Sequence, residues 1–360
     1  MNLARSDLLI VAALVTGLAG CGTDPAGAPD PEGGPDGVIT SEGQSGLGGA
    51  GAGSSSAGAA DTGGSAGQGA GNGGPGGGGG GAASGGQGGG SLPSFGCWAW
   101  GKPPVEAVVH AGFDWFESGY PGTLDASEND YWAQNGTLPF AYINMAEVPN
   151  TDPYLQDLIG SWYTSIELCQ NTSWDTTIVD VRDSRWQDWL VTRANYAYSI
   201  GNRGIKWDVA GVENLCNGWA AEGGAAAQQE AIDAVAAVLA ELKAQHPDFI
   251  FIVNQGYGLA QQHPELVDGF EWENMLNYCG PDSNQWDGWC TEEVAAADAI
   301  HANGTPILNL EYADLFGCDD VMCAAGDALY NQAVALGWVP YITVTTMNIE
   351  GRGLDIVPPW

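Results

Sequence analysis

Two carboxylates in this 360-residue chain are placed to do chemistry. Asp208 ends the segment Gly204-Ile205-Lys206-Trp207-Asp208, and Glu273 lies in Phe270-Glu271-Trp272-Glu273-Asn274. Each closes a short apolar run of the kind that forms a β-strand. Two acids at strand ends can flank a glycosidic bond, one acting as nucleophile or base while the other protonates the leaving oxygen. Neighbouring runs also end in polar residues: Asp114 with Trp115, Asn144 with Glu147, Arg182 with Asp183, Asn254 with Gln255, Glu271 just before Glu273, and Glu311 with Tyr312. Apolar interiors with polar ends describe a catalytic mouth rather than a sealed core. Trp115, Trp132, Tyr142, Trp207 and Tyr312 offer aromatic faces to sugar rings, and core packing is the alternative for each. Arg182 is expected to pair with nearby carboxylates.

Strands are expected near 110–116, 138–144, 176–182, 204–208, 249–254, 268–273, 305–311 and 339–346. On that count Asp208 and Glu273 belong to the fourth and sixth. Helical spacing is clearest from Ala225 to Gln245, where Ile232, Val235, Val238, Leu239 and Leu242 share one face. Further helices are expected over 184–200, 291–303 and 323–336, with Gly201, Gly304 and Gly337 at their C-terminal ends. Residues 118–137 show no clean helix. Alternating strands and helices imply a parallel sheet, and eight strands imply closure into an α/β (β/α)8 TIM barrel over residues 93–360.

The chain before the barrel has a different composition. Residues 1–20 read as an export signal, with an apolar run from Leu8 to Ala19 too short to span a bilayer. Leu18-Ala19-Gly20-Cys21 resembles the lipobox of bacterial lipoproteins, which implies lipid on Cys21; an ordinary signal with a chance cysteine is the alternative. Residues 21–92 are rich in Gly, Ala, Ser and Pro, so they are expected to be a disordered linker, with a reach of about 45 Å. Gly22 after that cysteine fits sorting to the outer membrane of a cell envelope, with the domain periplasmic or extracellular. The only membrane contact expected is through this lipid, and the domain is expected to be a monomer.

Residues 93–360 hold 8 Lys+Arg against 37 Asp+Glu, which disfavours nucleic acid and suits a cationic partner such as an amino-sugar polymer. Plain solubility would also explain the charge. Of the eight cysteines, Cys318–Cys323, Cys279–Cys290 and Cys169–Cys216 are the expected disulfides, and Cys97 is left over. The four histidines, His110, His246, His263 and His301, lack metal spacing, and no nucleotide loop or serine elbow is present. No metal or cofactor is expected.

From about 110 to 346 the chain resembles glycoside hydrolase family 114, the endo-α-1,4-polygalactosaminidases and related barrels. The resemblance is carried by Tyr142-Ile143-Asn144-Met145-Ala146-Glu147, placed after the second strand, and by Arg193-Ala194-Asn195-Tyr196-Ala197 with Gly201-Asn202-Arg203-Gly204-Ile205-Lys206-Trp207-Asp208. Glu273-Asn274 and Pro306-Ile307-Leu308-Asn309-Leu310-Glu311-Tyr312-Ala313 complete it. It implies hydrolysis of an α-linked, galactosamine-containing polysaccharide by two carboxylates, with Asp208 as nucleophile and Glu273 as acid/base, or the reverse. Substrate contacts are then expected from Asp114, Trp115, Tyr142, Glu147, Arg182, Trp207, Asn254, Gln255, Glu271, Glu311 and Tyr312. Two positions depart from the family pattern: Arg203 replaces an acid before the fourth strand, and Gly211 replaces one after it, with Glu213 as the substitute charge. A barrel cleaving another glycan and a catalytically silent glycan-binding surface protein are the alternatives.

Overall fold

The computed structural model describes residues 92–98, 102–219, 221–279, 288–313 and 324–343. In chain order the strands are β1 (Phe95–Cys97), β2 (Trp115–Glu117), β3 (Leu138–Asn144), β4 (Glu147–Pro149), β5 (Glu167–Asn171), β6 (Thr176–Val179), β7 (Gly204–Asp208), β8 (Ile250–Asn254), β9 (Gly269–Glu273), β10 (Ile307–Tyr312) and β11 (Val339–Thr343). The helices are α1 (Val105–Ala111), α2 (Ala126–Gln134), α3 (Pro153–Ile159), α4 (Ser184–Ser199), α5 (Leu215–Trp219), α6 (Ala225–Gln245), α7 (Tyr257–Gln262), α8 (Met275–Cys279), α9 (Gly288–Ala302) and α10 (Ala324–Ala335).

Eight parallel strands form the main sheet in the order β1-β2-β3-β7-β8-β9-β10-β11. The sheet curls until its ends meet. Tyr341 of β11 donates from its hydroxyl to the carbonyl of Cys97 in β1 at 2.9 Å, and its ring packs edge-on against Phe95. With helices around it, this is a (β/α)8 TIM barrel.

Three strand assignments differ from expectation. The run 176–182 yields β6, which belongs to a separate antiparallel sheet, β4-β6-β5, inserted between β3 and α4. The run 110–116 covers the end of α1 and the start of β2. The first barrel strand is instead Phe95–Cys97, whose three residues are too few to show a period. One strand lost and one gained leave β7 fourth and β9 sixth, while the segment ending at Asn144 is the third barrel strand. Residues 118–137 do contain a helix, α2, started by a capping box between Asp125 and Glu128.

Strand parity divides two cores. Ile205, Trp207, Phe251, Val253, Phe270 and Trp272 face the helices. Phe140, Ile252, Leu308, Leu310 and Tyr341 fill the barrel interior. Gly204 is required there: a Cβ would lie 2.2 Å from the Phe140 ring and 2.7 Å from the Ile250 carbonyl. Gly201, Gly304 and Gly337 follow α4, α9 and α10 with φ of 95°, 95° and 76°, the left-handed ends expected of them.

Disulfides join Cys169 to Cys216 and Cys279 to Cys290. Cys97, the cysteine expected to be left over, is disulfide-bonded as well. The expected Cys318–Cys323 pair, Cys21, the signal segment and the linker up to residue 91 lie outside the described residues. Among the described residues no helix is long and apolar enough to cross a membrane.

Candidate active site

Five neighbouring barrel strands contribute one unbroken arc of hydrogen bonds at their carboxyl ends. Tyr142 of β3 donates from Oη to Asp208 Oδ2 of β7 at 2.6 Å. Asn254 of β8 donates from a single Nδ2 to Asp208 Oδ1 at 2.8 Å and to Glu273 Oε2 of β9 at 2.9 Å. Tyr312 of β10 donates from Oη to Glu273 Oε1 at 2.7 Å. All four oxygens of the two carboxyl groups are therefore held. Asp208 is 6 % exposed and Glu273 4 %, so both work in a nearly dry setting where charge interactions are strong.

The chain turns sharply after each of the three central residues. Val209, Gln255 and Asn274, which follow Asp208, Asn254 and Glu273, have φ of 51°, 54° and 57°. This region costs a non-glycine residue about 1–3 kcal/mol, and a β-branched valine is an outlier in it. Backbone bonds hold the turns: Ala210 N to Asn254 O, Gln255 N to Glu271 O, and Asn274 N to Leu310 O. Strain at three adjacent strand ends is concentrated where the acids must be aimed.

Burial is the largest influence on Glu273 and pushes its carboxyl well above the ordinary carboxylate range. The charge of Lys206 opposes this, Asp208 and Glu271 add to it, and the Tyr312 hydrogen bond works against it. A carboxyl in that state at neutral pH is a proton donor. Below the pair, Lys206 sits fully buried with Nζ 2.7 Å from Glu271 Oε1 and 3.4 Å from Glu117 Oε2. Both are ion-pair approaches in the barrel interior, and the contact with Glu271 is the closer. Burial raises Glu117 to about 8 against the pull of Lys206. Burial also raises Glu271, again opposed by Lys206.

Tyr142 and Tyr312 reach the site through their hydroxyls and are 1 % exposed, so neither ring is open for stacking. Glu147 is near the mouth, accepting from Asn171 Nδ2 and Thr176 Oγ1, each at 3.0 Å, and is raised chiefly by burial. Gln255 enters through its left-handed backbone.

Other expected contacts are placed elsewhere. Asp114 precedes β2 at the amino end of the barrel, where Oδ2 accepts from the backbone N and Oγ of Ser94. Trp115 starts the same strand and packs on Phe140 at 5.4 Å, at the barrel floor. Trp132 is sealed between elements, donating from Nε1 to Val105 O. Trp207 has the wrong parity for the interior and packs edge-on against Phe251 under the helices. Glu311 is also on the outward parity; its Oε1 accepts from Leu276 N at the start of α8 and from Asn309 Nδ2. Glu271 is 0 % exposed and faces Lys206 rather than the opening. Arg182 follows a strand of the small sheet. It pairs with Asp180 and Glu230, as carboxylate pairing anticipates, and lies 4.7 Å over the Trp219 ring.

Sequence reasoning passed over Lys206 and Glu117. Parity was the available signal: Lys206 precedes Asp208 by two residues and so shares its face. The two departures from the family pattern also resolve in space. Arg203 precedes β7 at the end of the barrel remote from the pair, near Asp130 at 3.8 Å. Gly211 lies against β8, where a Cβ would meet the Gln255 carbonyl at 2.8 Å. Glu213 accepts from Gly258 N at 2.8 Å and is raised by burial. Among the described residues no cluster of His, Cys, Asp or Glu is arranged to hold a metal ion.

Solved structures with the same fold include the glycoside hydrolase domain of PelA from Pseudomonas aeruginosa. It is 21% identical with a TM-score of 0.58, over 72% of this chain and 98% of that one. Ega3 of Aspergillus fumigatus, solved in complex with galactosamine, is 11% identical with a TM-score of 0.53, over 71% and 92% of the two chains. No curated protein matches the chain. The family description Glycoside-hydrolase family GH114 matches residues 113–351, two thirds of the sequence and all of the strands bearing the arc. The chain belongs to glycoside hydrolase family 114.

Proposed function

We propose that this glycoside hydrolase cleaves an α-linked, galactosamine-containing polysaccharide with retention of configuration. Asp208 is the nucleophile and Glu273 the acid/base. The observation that carries this reading is the shared Asn254 nitrogen. Bonds of 2.8 and 2.9 Å from one atom keep the nearer oxygens of the two carboxyl groups within about 5.7 Å, which supports the closer spacing of retaining enzymes, ~5–5.5 Å between the groups.

In the first half-reaction an Asp208 oxygen attacks the anomeric carbon while Glu273 gives its proton to the departing glycosidic oxygen. A glycosyl ester on Asp208 results. In the second half, ionised Glu273 takes a proton from water, the resulting hydroxide attacks the same carbon, and the Asp208 carboxylate leaves. Tyr142, Asn254 and Tyr312 fix both carboxyl groups throughout, so little reorganisation is needed at the transition state.

An amino sugar is favoured by charge. The chain carries a formal net charge of −35, which draws an ammonium-bearing polymer toward an acid-lined mouth. Ega3 was solved with galactosamine, which supports the same sugar here. By the reading of its first residues, the domain is carried on the cell envelope by lipid at Cys21.

Reducing-end release should be followed on a polysaccharide panel that includes partly deacetylated α-1,4-galactosaminogalactan. Wild type is expected to cleave that polymer, and Asp208→Asn and Glu273→Gln, folded by circular dichroism, to lose at least about 10³-fold. Turnover retained in both variants would remove the pair from the mechanism. Tight binding by wild type without turnover would favour a silent glycan-binding protein instead.

A further inference from the structure

Lys206 has no place in the two-carboxylate scheme, yet its ammonium is sealed in the barrel interior beneath it. It lies two residues before Asp208 on β7, and its partner Glu271 lies two residues before Glu273 on β9. The ion cluster is thus the layer of side chains directly beneath the pair. Lys206, Glu117 and Glu271 are all 0 % exposed. The groups facing the ammonium come from five of the barrel strands. They are Glu117 of β2, Tyr142 of β3 with its ring centroid 5.9 Å away, Asp208, Glu271 and Glu273, and Tyr341 of β11.

Burial alone would lower Lys206; the carboxylates Glu271, Glu117, Asp208 and Glu273 reverse this and keep it charged. A buried ion pair is a poor stabiliser compared with apolar packing, so stability gives little reason for it. The layer above supplies a reason. Glu273 must surrender a proton in one half-reaction and accept one in the next, and a carboxyl sealed from water tends to stay neutral. Lys206 is the largest influence opposing burial at Glu273.

We propose that Lys206 is a positioning residue whose buried charge lets Glu273 release its proton as well as hold it, so that one carboxyl serves both half-reactions. This rests on the retaining reading of the same site. Glu271 is the counterweight: it seats the ammonium and weakens its influence on Glu273.

The test follows nitrophenolate release from a nitrophenyl glycoside of an α-1,4-galactosamine oligomer as a function of pH. In Lys206→Met the alkaline limb of kcat/KM moves up by about one pH unit, because the acid form persists longer. The second half-reaction slows, giving a burst of nitrophenolate and then a steady rate about tenfold below wild type. In Glu271→Gln the limb moves down instead. The double variant Lys206→Met/Glu271→Gln leaves neither charge stranded, so it keeps the fold where Lys206→Met alone does not. Its limb lies above that of Glu271→Gln. Folded variants whose limbs coincide with wild type, or a downward shift on loss of Lys206, would overturn the proposal and leave the hydrolase reading intact. If the wild type cleaves the polymer but not the nitrophenyl glycoside, the same limbs are read from reducing-end release, with the same shifts expected and the same coincidence with wild type overturning the proposal. A wild type inactive on both substrates refutes the hydrolase reading itself.

Discussion

Replacing Asn254 by leucine removes the donor between the two acids and keeps the same branching and number of heavy atoms. The amide nitrogen serves Asp208 Oδ1 at 2.8 Å and Glu273 Oε2 at 2.9 Å, and it is buried with both acceptors. A hydrogen bond to a charged group contributes about 1.5–3 kcal/mol, so two set a ceiling of about 6 kcal/mol. Part of that is shared by ground and transition states and does not reach kcat. A loss of about 2–4 kcal/mol from the barrier remains, roughly 30- to 1,000-fold in kcat. Without the amide the two carboxyl groups also repel with less restraint, so the alkaline limb of the pH profile shifts upward. The assay is reducing-end release from galactosaminogalactan across pH, with near-ultraviolet circular dichroism confirming the fold. A folded Asn254→Leu protein with kcat within threefold of wild type would refute the claim that this amide organises the site.

Other consequences follow from the same geometry. Glu117 stands at about 8 in the fold against 4.5 when exposed, so its contribution to stability is complete below pH 4.5 and is lost as pH rises through about 8. The loss is of order 5 kcal/mol, and in Glu117→Gln the stability read from urea denaturation should fall less steeply across pH 4.5–8. The Cys169–Cys216 disulfide closes a 47-residue separation and ties the segment after Asp208 to the small sheet. Cys216→Ser protein should be less stable by about 4 kcal/mol in urea denaturation. Cys21→Ser in the full chain should abolish incorporation of labelled palmitate and release the protein from membranes. Persistent labelling would contradict lipid attachment at that cysteine.

The central strands could be read from the sequence because each repeats one local pattern. Gly204–Asp208 and Gly269–Glu273 both end apolar runs in an acid, and the long period-3.6 stretch of α6 separates them clearly from one another. What could not be read was which strands share a sheet. Thr176–Val179 is as β-like as any barrel strand, and only tertiary pairing with β4 and β5 removes it from the barrel. Phe95–Cys97 is too short to announce itself. Orientation was recoverable by parity where strand ends were right, as for Asn254. Where a boundary slipped, the inference failed with it. Asp114 moved to the opposite end of the barrel, and Glu311, one residue before the inward Tyr312, turned out to face the helices. The strained turns at Val209 and Gln255 carry no sequence signature, since neither uses glycine or asparagine.

The most direct measurement is time-resolved proton NMR of the reducing ends formed from an α-1,4-linked galactosamine oligomer. Retention by Asp208 and Glu273 predicts that the α anomer forms first and mutarotates to the equilibrium mixture afterwards. The β anomer appearing first would contradict the roles assigned to the pair, and a spectrum that never changes would contradict hydrolysis of this linkage.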